Sequence, residues 1–147
     1  MMQSYLPDVN VPVALFDPAH LHHHAAHKWF SKRGKTPWAT CPITVNGCFR
    51  VLCRLAALSS PTPSSDLAQQ LRELLALPGR VSFSAQPDLT VEARFDLTKL
   101  SGHNQCTDAL PLAIAVHHQA KLLTFDRNIP WRAVRSASPQ DIRLLSA

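Results

Sequence analysis

Lys121-Leu122-Leu123-Thr124-Phe125-Asp126 is a short apolar run closed by an acid, and its reading decides the fold. Lys121 to Phe125 is too short and too apolar for anything but a buried strand. The longer apolar run before it, Thr107 to Gln119, has the length of a core helix. In this reading Pro111 marks the helix start, because proline is costly at a helix centre. The front of the chain repeats the pattern. Ser4 to Leu6 reads as a strand running to Asp8, and Val9 to Phe16 as a short helix with Pro12 early in it.

The middle fills in the same alternation. His20 to Lys32 reads as a helix whose Leu21, Ala25 and Trp29 form an inward stripe, with Gly34 ending it. Trp38-Ala39-Thr40 is a strand. Pro42 to Leu58 is a helix with Val45, Cys48, Phe49, Leu52 and Leu55 or Ala56 on its apolar face. After a Ser/Pro loop at 59–64, Ser65 or Asp66 caps a helix to Leu77, and Pro78-Gly79 stops it. Arg80 to Ser84 is a strand, Leu89 to Leu100 reads as helical, and the tail from Arg132 adds one more short strand. Strands alternating with helices predict an α/β fold with a largely parallel sheet. With 147 residues and no linker or repeat, residues 1–147 form one domain.

Asp8, Asp108 and Asp126 carry the functional expectation. The chain has only ten Asp and Glu residues, yet three stand at strand-to-helix junctions. Strand C-termini in a parallel sheet converge on one edge, where ligands bind. Carboxylates gathered there raise one another's pKa unless a cation neutralises them. Mg²⁺ and similar hard ions favour oxygen ligands and retain waters for phosphate chemistry. The pattern points to metal-dependent phosphodiester hydrolysis. Each aspartate alone is equally a turn residue or a helix cap, Asp108 above all.

Charge agrees with a polyanionic partner: the net charge is +5 and the pI about 9.4. Fifteen Lys and Arg are spread along the chain without a basic tail, which fits a folded enzyme better than a charge-neutralising arm. Cys41, Cys48, Cys53 and Cys106 have neither C-x-x-C nor zinc-finger spacing and read as free thiols. Met1 to Ser4 lead straight into the first strand without a secretory leader, and no apolar run has transmembrane length. The expectation is a cytoplasmic protein with no membrane association. His20 and His24, and His23 and His27, have i,i+4 spacing that can chelate Zn²⁺ or Ni²⁺. No acid or cysteine completes the set, so a polar helix face is the plainer reading. Trp29 and Trp38 read as core, while Trp131 near Asp126 is a candidate for base stacking.

Taken in order, Leu6-Pro7-Asp8-Val9-Asn10-Val11, Trp38 to Thr44, Asn46 to Val51, Gly102 to Ala109 and Leu123 to Asp126 resemble the PIN-domain family. Within it they are similar to the VapC-like toxin ribonucleases of bacterial toxin–antitoxin pairs. The resemblance implies a PIN-like three-layer sandwich, a central parallel sheet flanked by helices. It also implies an endoribonuclease that cleaves structured RNA, dependent on Mg²⁺ or Mn²⁺ and blocked by a VapB-like antitoxin protein, commonly as a homodimer. Asp8, Asp108 and Asp126 take the places of three family acids, as metal ligands and catalytic residues. Asn10, Thr107 and Thr124 are candidates to orient waters or phosphate around them. Arg50, Lys99 and His103 are candidates for the RNA backbone.

The pattern breaks at one place. The family's second acid follows the Thr of Thr44-Val45-Asn46-Gly47, where this chain has Val45. A valine cannot ligate an ion, which implies weaker metal affinity and slower cleavage; of the other acids, Glu92 is the one considered as a replacement. A catalytically degenerate PIN protein that binds RNA or an antitoxin without cutting is therefore the alternative. A nuclease acting on DNA or flaps is a third.

Overall fold

A computed structural model describes residues 2–59 and 61–146. Its centre is a five-stranded sheet in the order β3-β2-β1-β4-β5, every neighbouring pair parallel. The strands are β1 (Tyr5–Pro7), β2 (Trp38–Thr40), β3 (Arg80–Ser82), β4 (Lys121–Thr124) and β5 (Ile142–Leu144). The helices are α1 (Asn10–Phe16), α2 (His23–Lys32), α3 (Pro42–Leu58), α4 (Ser64–Leu75) and α5 (His103–His117). Side chains alternate across the strands, so β1 and β4 feed both faces. Leu6 and Leu122 pack with Ala109, Leu112 and Ile114 of α5 on one face. Leu123 packs with Val11, Ala14 and Ala26 of α1 and α2 on the other. Cys48 and Leu52 of α3 and Leu71 of α4 extend that second layer around Val13. The result is the three-layer α/β sandwich expected.

Four local expectations are corrected. The apolar face of α2 is centred on Ala26, while Leu21 lies before the helix and is 82% exposed. No side chain caps α4, whose N-cap is Pro63 rather than Ser65 or Asp66, and the helix ends at Leu75. The segment expected to be helical at 89–100 holds only a 3-10 turn at Leu97–Lys99. Asp88 and Asp96 there accept the backbone N–H groups of Thr90 and Thr98, a local turn that competes with helix. Lastly, α5 begins at His103, so Pro111 lies inside it and Asp108 stands beyond its first turn rather than at the cap. Pro111 is buried in the core beneath the sheet. It removes one helix hydrogen bond, to the Thr107 carbonyl, and packing of Ala109, Leu112 and Ile114 overrides that loss.

The histidines serve the fold. The imidazole of His23 reaches the Ala14 carbonyl at 2.7 Å and that of His27 the Leu15 carbonyl at 2.9 Å, which satisfies carbonyls at the end of α1. His22 stacks on Phe125 at 4.2 Å. All four cysteines are free, and burial pushes the Cys48 thiol up to about 12. No described helix is long and apolar enough to cross a membrane.

Candidate active site at the C-terminal edge of the sheet

The site starts from the two central strands. β1 and β4 pair from Tyr5↔Lys121 through Pro7↔Leu123, so Asp8 and Asp126 leave the sheet at the same edge. Strand order reverses here, with β2 and β3 on one side of β1 and β4 and β5 on the other. That reversal opens a crevice at the strand C-termini. Asp8 is fixed by its backbone, whose N–H donates to the Leu123 carbonyl at 2.8 Å. Its carboxylate is fixed as well: Val9 N–H donates to Oδ1 at 2.8 Å and the Thr124 hydroxyl to Oδ2 at 3.2 Å.

Thr124 joins two of the acids. It is 1% exposed, and its Oγ1 also accepts the Asp126 backbone N–H at 3.0 Å. The Asp126 carboxylate in turn accepts the Asn128 N–H at 2.8 Å, which orders the loop after β4. Asp108 comes from α5 on the opposite side and accepts no hydrogen bond among the described residues. Burial raises the pKa of Asp8 above the usual carboxylate range, and the charges of Asp108 and Asp126 push it the same way. Asp108 is raised by burial first and by Asp126 second. Three carboxylates from three elements therefore act on one another at one edge.

That donor set is entirely oxygen, and Asp8 and Asp108 are carboxylates whose burial, with neighbouring acids, disfavours their bare charge, both of which suit a hard divalent cation. The arrangement is open: among the described residues no three His, Cys, Asp or Glu side chains close into a metal cage.

The remaining candidates fall into two groups. Asn10 is exposed at the first position of α1, two residues after Asp8; Thr107, exposed, precedes Asp108. Arg50, Lys99 and His103 are all exposed on α3, the 3-10 turn and the start of α5. Glu92 is exposed and is not among the charges acting on Asp8 or Asp108. Val45 is half-buried and packs against the cluster of Val13, Cys48, Leu52 and Leu71. Trp38 is core at 1% exposure, and Trp131 packs partly on the α5 cluster with Arg132 4.6 Å over its ring.

One contributor was not singled out in the sequence. Gly47 lies inside α3, and a Cβ there would meet Val9 Cγ2 at 2.8 Å. Val9 supplies the N–H that holds Asp8, so the glycine lets α3 pass close to the turn carrying the central acid. A glycine within a helical pattern is the available signal. Gly47→Ala gains roughly 1 kcal/mol of helix propensity, but overpacking costs roughly 1–3 kcal/mol, and Val9 is a stiff β-branched neighbour. The expected outcome is a net loss of thermal stability together with slower RNA cleavage. A stabilised variant with unchanged cleavage would show that the contact does not set Asp8.

Comparison with known proteins places the fold in a family. Residues 5–135 match the PIN domain, and the chain belongs to the PIN-domain family. It is similar to the ribonuclease VapC39 of Mycobacterium tuberculosis, 34% identical over 121 residues, which cover 82% of this chain and 87% of that one. Ribonuclease VapC44 of the same organism is 34% identical over 145 residues, 95% of this chain and 98% of that protein. Among solved structures, the M. tuberculosis VapC20 toxin, which cleaves the sarcin-ricin loop, superposes with a TM-score of 0.61 at 12% identity. That match covers 92% of this chain and 99% of VapC20. VapBC2 from Rickettsia felis, bound to a DNA fragment from its promoter, gives 0.64 at 14% identity, covering 98% and 100%. At such identities the two structures speak for the fold.

Proposed function

We propose that the chain is a VapC-like endoribonuclease toxin that hydrolyses structured RNA with Mg²⁺ or Mn²⁺. The observation that carries the reading is the convergence of Asp8, Asp108 and Asp126 on one sheet edge, with Asp8 and Asp126 joined through Thr124. These three residues would hold the ion, which supplies Lewis-acid polarisation of a phosphodiester and acidifies water beside it. The chain's own part is positioning. Val9 and Thr124 fix the Asp8 carboxylate, Thr124 ties it to the Asp126 backbone, and Asn128 orders the loop beyond. Asp108, free of hydrogen bonds, is the acid able to adjust as a ligand arrives. Asn10 and Thr107 stand where they can orient water or phosphate, and Arg50, Lys99 and His103 offer exposed donors to the RNA backbone.

Relatives named as VapC ribonucleases support RNA as substrate, and the VapBC2 structure supports a VapB-like antitoxin as partner. A cytoplasmic homodimer completes the reading. Val45 favours a second one, a degenerate PIN protein that binds RNA or antitoxin without cutting, because a methyl-bearing side chain in an apolar cluster adds no ligand. The test is a cleavage time course on structured RNA with Mn²⁺, with EDTA and Asp108→Asn as controls. Cleavage that both controls abolish supports the nuclease. RNA binding with no turnover transfers the assignment to the degenerate protein, and cleavage confined to DNA overturns both.

A further inference from the structure

A groove of about 610 Å³ lies on the α2 side of the sheet, away from α5. Its walls are Lys28, Trp29, Lys32 and Arg33 at the C-terminal half of α2 and beyond, Tyr5 of β1, and Arg143 of the edge strand β5. Among the described residues no Asp or Glu lines it. Lys28, Lys32 and Arg143 are exposed. The two lysines are four residues apart and so share one helix face, an arrangement that costs helix stability when unrelieved. Proximity to the C-terminal dipole of α2 accounts for Lys32 and Arg33, but not for Arg143, which converges from a different element. Arg33 is held in place by donating to the carbonyls of Pro78 at 2.9 Å and Thr36 at 3.3 Å. Its Nε is nevertheless buried without a hydrogen-bond partner. Trp29 and Tyr5 meet edge-on at 5.7 Å between the cations.

We infer that this groove is a second binding surface for single-stranded RNA, carrying the nucleotides that flank the cleaved bond. The inference rests on the ribonuclease reading for its ligand. Aromatic rings interleaved with lysine and arginine suit bases and phosphates together, whereas an acidic peptide would use only the charge. One end of the groove approaches the site. Leu145, which also lines the groove, donates its N–H to the Thr124 carbonyl at 2.8 Å, two residues before Asp126. At the same level His22 stacks on Phe125. From there α2 descends ~15 Å to Arg33, room for several nucleotides of an RNA strand leaving the acids.

The test is equilibrium binding of a fluorescent single-stranded RNA of about twelve nucleotides, in EDTA so that no cleavage intervenes. The parent chain is compared with Lys28→Glu/Lys32→Glu/Arg143→Glu and with the milder Lys28→Ala/Lys32→Ala/Arg143→Ala across a salt series. Each phosphate contact contributes ~0.7 to the slope of log affinity against log salt for single strands. Losing three contacts is expected to flatten that slope by about 2 and to weaken binding by at least tenfold near 0.1 M salt. Thermal melts establish that the variants are folded; if the reversal does not fold, the alanine variant gives the same reading. Unchanged affinity and slope overturn the inference, as does failure of the parent to bind RNA. A polyglutamate peptide that binds the parent and is lost in the variants, with RNA binding unchanged, also overturns it and assigns the groove to an acidic protein. Cleavage of the same RNA by the parent with Mn²⁺ is scored separately, so failure of the nuclease reading is not confused with failure of the groove.

Discussion

Asp8→Asn is expected to abolish RNA cleavage and at the same time to raise the melting temperature. Replacement of residues that merely support metal ligands costs about 10–100-fold, so loss of the central acid should cost ~100-fold or more. The stability effect has the opposite sign because the site is strained by its own charge. Burial, then Asp108 and Asp126, lift the Asp8 pKa above its ordinary 3.8. The folded state therefore holds a proton that the unfolded chain releases. Stability from this group is full below pH about 3.8 and is lost as pH rises through the raised folded value. At neutral pH the ionised carboxylate is a burden on the fold. Asparagine keeps an oxygen to accept from Val9 N–H and carries no charge to desolvate. The expected result is a higher melting temperature at neutral pH than the parent's, the gain shrinking as pH falls. The pH dependence of stability should flatten in the same variant, leaving the Asp108 contribution. Added Mn²⁺ should stabilise the parent more than the variant, since a ligand stabilises only the state that binds it. A variant that melts lower than the parent at neutral pH would show that the hydrogen bonds to Asp8 outweigh its desolvation.

The second large effect is a gain. Val45→Glu is expected to speed Mn²⁺-dependent cleavage by about 10–100-fold, the range over which metal sites respond to their supporting groups. Position 45 lies in the first turns of α3, a helix with no acid near its N-terminus. A carboxylate there gains ~0.3–1 kcal/mol from the helix dipole. Losing the valine's contacts with Val13, Cys48, Leu52 and Leu71 costs about the same, since ~25 cal/mol is lost per Å² of apolar burial and Val45 is only half-buried. Net stability should therefore change little in buffer and rise more steeply than the parent's with added Mn²⁺. If neither rate nor metal-dependent stability moves, position 45 does not reach the acids and the degenerate reading takes over.

Where the sequence could be read and where it could not follows from how local each determinant is. Strands such as Trp38–Thr40 and the helix Pro42–Leu58 were legible because a turn residue and an apolar period fix both ends within the segment. Pro111 misled because its helical cost is local, while the packing of Ala109, Leu112 and Ile114 that offsets it comes from the sheet. The residues from Asp88 to Lys99 have helical spacing, yet two Asp–Thr turns compete for the same backbone groups. Leu21 fitted an i,i+4 stripe but precedes the first turn of α2. At the site, the positions of Asp8 and Asp126 were readable from strand ends, while Asp108 lies inside α5 rather than at its cap. The coupling through Thr124 and the close pass of Gly47 against Val9 were not, because both join residues far apart in the chain.

The bond from the Asp8 amide to the Leu123 carbonyl has a consequence for how the molecule breathes. It bridges the two central strands, so its deuterium exchange should require opening of the whole sheet, the slowest class of event in the protein. Residues 84–101 lie outside the sheet and are joined to the rest by the Phe95↔Val134 bridge, by Arg135 Nε donating to the Glu92 carbonyl, and by Phe95, Leu89 and Leu100 packed on the α5 cluster. They should exchange through small local openings. Asp8 thus stands on the last part of the backbone to open.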